Sequence, residues 1–120
     1  MMGFTSAQRY YLSREPADMR KSFDGLSGLV RQGLSRDPLS GEVFIFLNRR
    51  RTMIKILVWD RSGFVIWSKR LERGTFEMPR NAEAGSSVAL RWEELVMILE
   101  GVSLSSVHRR KRYSREKVAV

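Results

Sequence analysis

The sequence predicts a small single α+β domain: an antiparallel β-meander of three or more strands, packed with two helices and followed by a basic C-terminal tail. Three observations carry that reading. Residues 43–71 hold three short apolar runs separated by segments of hairpin-loop length and composition. The flanking segments switch to helical spacing of their apolar residues. A chain of 120 residues, 42% of them hydrophobic, suffices for one core and not comfortably for two.

Taken in chain order, "RYYLSREP" is a short strand-like start with aromatics at Tyr10 and Tyr11 and a stop at Pro16. In "ADMRKSFDGLSGLVRQGLSRDP", Met19, Phe23, Leu26 and Val30 form one helical stripe, and Asp18 is placed to cap the first turn. Gly25 and Gly28 each lower helix propensity by about 1 kcal/mol, so they are read as points where another element approaches closely. "RDPLSGE" is a turn. Val43–Leu47 is continuously apolar, as in a strand covered on both faces. Met53–Trp59 is β-branched and aromatic, with Lys55 at one position, and Phe64–Leu71 alternates towards its end. "NRRRT" and "DRSG" connect these runs as hairpin loops. "GTFEMP" is a short extended piece and "RNAEAGSS" a polar loop. "WEELVMILEGV" is a second helix with Trp92, Leu95, Val96 and Leu99 on one stripe and Gly101 at its C-cap. The expected boundaries are a flexible N-terminus over 1–8, the domain over 9–107, and a basic, disordered tail over 108–120.

The formal net charge is +9, with a pI near 10.8, which points to a polyanionic partner, most commonly nucleic acid. Five of those net charges belong to the tail "HRRKRYSREKVAV", so domain and tail are separate cases. No apolar run reaches the ~20 residues of a membrane-spanning helix, and the start of the chain has no signal-like apolar core. Cysteine is absent, which excludes disulfides and thiolate metal sites and fits a reducing cytoplasm.

A meander places the loop after its first strand at the same end as the exit of its third. Arg49, Arg50 and Arg51 therefore share one rim with Lys69, Arg70 and Arg73. The opposite end, with Asp37, Glu42, Asp60 and Arg61, is expected to be net acidic. Like charges crowded within about a Debye length repel, so folding alone gives no reason to gather them, whereas a phosphate backbone relieves the repulsion. Glu72 and Glu77 lie close enough in sequence to neutralise part of the rim, and a solvated ion-pair network is the competing reading. In the tail, Arg109, Arg110, Lys111 and Arg112 are the candidate backbone contacts. Tyr10, Tyr11, Trp59, Phe64, Trp67 and Phe76 are expected to serve packing rather than base stacking.

Catalytic chemistry is not legible. His108, the only histidine, sits in the tail, and the chain contains no GxGxxG, P-loop or GxSxG. Glu42 and Asp60 meet at the expected acidic end of the meander, where ordinary turn residues are the favoured reading and a metal-dependent nuclease pair the distant one. The expectation is a non-catalytic binding protein without cofactor or metal.

The blocks "DMRKSFDGL" and "IKILVWDRSGFVIWSKRLERGTF", with "RYYLSREP" before and "RRKRY" after them, resemble the second open reading frame of the IS66 insertion-sequence family, the TnpB accessory proteins. The likeness runs from about Arg9 to about Tyr113. It implies a helper in bacterial transposition, placed in the bacterial cytoplasm with nucleoid association left open, acting beside a separate, larger transposase that holds the catalytic carboxylates. The implied partners are DNA, at the element ends or non-specifically, and that transposase; a membrane partner is not expected. An adaptor that docks on the transposase without DNA affinity of its own is the alternative, and self-association of the chain stays open.

Overall fold

The computed structural model describes residues 3–79 and 85–101. The predicted meander is present: β2 (Val43–Leu47), β3 (Met53–Asp60) and β4 (Gly63–Arg70) follow one another in antiparallel register. Two further strands extend it to five, in the order β4-β3-β2-β1-β5. β1 (Tyr10–Ser13) lies parallel to β2, with Tyr10 opposite Val43, and β5 (Ser87–Leu90) closes the far side antiparallel to β1. The segment "SVAL" is thus a strand between the expected polar loop and the second helix, where the sequence assigns no element. Its two inward residues, Val88 and Leu90, are too few to announce a period of two.

Because β1 and β2 are parallel, the chain between them must cross over the sheet, and the helical segment makes that crossing. It starts later than its apolar stripe suggests. α1 is Phe23–Gly28, and a wider π-helical stretch, Leu29–Gly33, carries it on. Leu26, Val30 and Leu34 are buried against Tyr11, Phe44, Phe46 and Leu57, while Phe23 is 46% exposed. Asp18 does not cap the helix. It binds the Arg20 side chain at 2.7 Å, which holds its carboxyl down to about 2, and both groups face solvent. Nor does a neighbouring element press on the glycines. A Cβ at Gly25 would meet only the Lys21 side chain, at 3.0 Å, and one at Gly28 would meet nothing.

The opposite face is covered by α2 (Trp92–Glu100), through Leu95, Ile98 and Leu99. Gly101 ends this helix at φ 75°, as expected of a C-cap, and its N–H reaches the last carbonyls. With helices on both faces, every residue of β2 is buried, which explains its unbroken apolar run. The predicted packing aromatics behave accordingly. Tyr10 and Phe76 are core residues, and Trp59 meets Phe64 edge-on across the β3–β4 hairpin at 5.0 Å. Within the first eight residues, set outside the domain by sequence, Phe4 is buried and packs edge-on against Tyr10.

Candidate nucleic-acid interface

The candidate site grows out of the β2–β3 hairpin. Its loop is Asn48–Thr52, as the sequence predicts. The Asn48 side chain organises it. Oδ1 accepts from the Thr52 N–H at 2.8 Å and the Met53 N–H at 3.0 Å, while Nδ2 donates to Thr52 Oγ1 at 3.0 Å. The Arg51 N–H closes the turn onto the Asn48 carbonyl at 3.0 Å. From outside, the Phe76 N–H donates to the Arg51 carbonyl at 2.6 Å, and the Phe76 ring is fully buried. The loop backbone is therefore fixed at both ends, and its three arginines project from it exposed.

Arg51 occupies the left-handed region, at φ 57°. For a non-glycine residue that region costs about 1–2 kcal/mol, and the loop keeps an arginine there. Arg51→Gly is accordingly expected to stabilise the domain by about 1 kcal/mol in a denaturant titration. An unchanged or lower midpoint would show that the Arg51 side chain adds packing of its own.

The register then decides which other cations join the rim. Arg70 pairs opposite Met53, directly beside the loop, and Arg73 follows in the exposed segment beyond. Lys69, predicted to belong to the same rim, turns to the other face. Its Nζ donates to the Leu99 carbonyl at 2.7 Å and so satisfies the C-terminal end of α2. The period of two contains that answer, since Lys69 alternates with Trp67 and Leu71 on the side facing α2. Two further cations that sequence reasoning did not place lie towards this end. Lys55 shares the face of Arg70 and donates to the Lys21 carbonyl at 2.8 Å. Arg14 leaves β1 at this end because β1 runs parallel to β2. It lines a cavity of about 250 Å³ together with Arg49 and Arg51, alongside Glu15, Leu47 and Met78. No local sequence signal marks Arg14, because its position depends on a parallel pairing across some thirty residues.

None of Arg49, Arg50, Arg51, Arg70 and Arg73 forms a salt bridge with a described residue, Glu72 and Glu77 included. Among the described residues these five arginines are therefore not neutralised by salt bridges of the kind expected from Glu72 and Glu77. The opposite end of the sheet corrects a second expectation. It holds Glu42 and Asp60, but β1, β5 and the crossover also bring Arg9, Arg36 and Arg91 to it. Arg36 binds Glu42 at 3.6 Å and lies 3.6 Å over the Tyr11 ring. That end is mixed rather than acidic. Arg109, Arg110, Lys111 and Arg112 lie outside the described residues, as do 102–120 generally. Among the described residues no helix is long and apolar enough to cross a membrane, and no three His, Cys, Asp or Glu side chains gather as for a metal.

No solved structure matches the chain. It is similar to the uncharacterized protein y4jC of Sinorhizobium fredii (strain NBRC 101917 / NGR234), at 29% identity over 99% of the chain and 100% of that protein. It is also similar to the uncharacterized protein y4hO of the same strain, at 33% identity over 78% of the chain and 80% of that protein. The profile of the IS66 Orf2 like protein family matches residues 8–109, which take in the whole sheet, both helices and the arginine hairpin. The chain therefore belongs to the IS66 Orf2 like protein family, an insertion-sequence family of transposition-associated accessory proteins.

Proposed function

We propose that this protein is a non-catalytic accessory factor in transposition that binds DNA through the β2–β3 hairpin rim. One observation carries the reading: three exposed arginines on a backbone-locked loop, none in a salt bridge with a described residue. A loop held by Asn48 and Phe76 presents its charges without losing much backbone freedom on binding, and released counterions supply the driving force. Arg70 and Arg73 widen the rim beside the loop, and the basic tail adds charge. The chemistry of strand transfer is left to the separate transposase of such an element, beside which the protein works in the bacterial cytoplasm.

The test is a titration of the purified, nuclease-treated protein against element-end and scrambled duplexes at several salt concentrations, without transposase. Binding to both duplexes with a steep salt dependence is expected, because a cluster of arginines on a loop reads backbone rather than base edges. The alternative, a transposase adaptor, draws on the loss of Lys69 from the rim to α2, which leaves less charge for DNA. Co-purification with transposase after nuclease treatment, together with no DNA affinity of its own, would establish that alternative and end the DNA-binding reading.

A further inference from the structure

The two edges of the sheet are unlike. β5 is four residues long, and short edge strands are one way proteins avoid pairing with other chains. β4 is eight residues long and pairs continuously with β3 from Gly63 to Arg70. It contains no proline and no bulge, and its middle, Phe64–Trp67, is half-buried apolar surface. Its cations stand only at the end, and Lys69 is turned away to α2. Among the described residues the usual protections of an edge are therefore missing over most of β4.

The alternation of backbone groups along β4 can be read from its last bond to β3. The Leu71 N–H donates to the Thr52 carbonyl at 2.9 Å, so Lys69, Trp67 and Val65 also direct their backbone groups towards β3. Phe64, Ile66, Ser68 and Arg70 then direct theirs outward, and no described strand receives them. We infer that this edge pairs with β4 of a second copy, antiparallel about a two-fold axis at Trp67, to form a continuous sheet across the dimer.

Self-complementarity selects that occupant and that register. With Trp67 opposite its own symmetry mate, Phe64 faces Arg70 and Ile66 faces Ser68, so all four outward residues of each copy are paired. Trp67 then occupies a closely spaced, non-hydrogen-bonded position, the kind at which cross-strand aromatic pairs contribute most. Each Arg70 meets an aromatic ring rather than another cation. A shift that brings the two copies' Lys69–Arg70 ends together sets like charges opposite one another, and a shift the other way leaves outward groups unpaired.

The chain lacks cysteine, so one introduced residue can be labelled cleanly. Ser68 is exposed, and the proposed register sets the two Ser68 Cα atoms about 9 Å apart. Nuclease-treated Ser68→Cys carrying a nitroxide should sediment as a dimer and show strong dipolar broadening, lost on dilution with unlabelled protein. Ser68→Pro removes an outward N–H without touching the β3 ladder, so it should sediment as a folded monomer with a cooperative melt. A wild-type monomer, a labelled dimer without broadening, or a Ser68→Pro dimer would each overturn the inference. Should Ser68→Pro fail to fold, the label experiment decides alone. None of these readouts involves DNA, so the outcome is independent of the binding proposal.

Discussion

Alanine at Arg49, Arg50 and Arg51 together is expected to leave the fold intact and to weaken DNA binding while flattening its salt dependence. The side chains are exposed and form no salt bridge with a described residue, and the bonds that hold the loop are made by Asn48, Phe76 and backbone groups. Stability should therefore change by less than about 0.5 kcal/mol, the usual range for surface substitutions. Each phosphate contact contributes about 0.9 to the slope of log affinity against log salt, so losing three should flatten it by roughly 2 to 3 units. The loss should be the same on element-end and scrambled DNA. Arg51→Gly separates the contributions, since it removes one cation and relieves the left-handed backbone at once: its slope should flatten by about 0.9 while its stability rises. A folded triple variant with unchanged affinity and slope would remove the hairpin from DNA binding.

Phe76→Ala is expected to give the largest loss of stability. The ring is completely buried in the cluster beneath α2, and its backbone N–H ties the segment after β4 to the arginine loop. Truncating a buried phenylalanine costs about 3–5 kcal/mol, which for a domain of this size lowers the melting temperature by on the order of 10–20 °C. Phe76→Leu should recover much of that loss, because it leaves a smaller cavity. Amide exchange at Thr52 and Met53 should accelerate in the alanine variant well below its melt, since the packing that seats the loop is thinned. A melting temperature within a few degrees of wild type would show that the segment beyond β4 does not anchor the hairpin.

Local pattern alone determined a good deal here. The three meander strands, both hairpin loops, the αL glycine at the end of α2 and the co-location of the arginine loop with Arg70 and Arg73 all follow from alternation, turn composition and the reversal of direction at each hairpin. These are short-range rules, and the residues that obey them are adjacent in sequence. What tertiary structure decided is everything that depends on a distant partner. Nothing near Tyr10 or Ser87 says that β1 lies parallel to β2 or that β5 pairs with β1, because hydrogen bonds between strands carry no sequence label of their own. That pairing brings Arg14 to the rim and sends Arg9 and Arg91 to the far end, so the charge map could not be completed without it. Lys69 shows the finer limit. Alternation placed it on the face of Trp67, but only the docking of α2 supplied the carbonyl that takes it out of the rim.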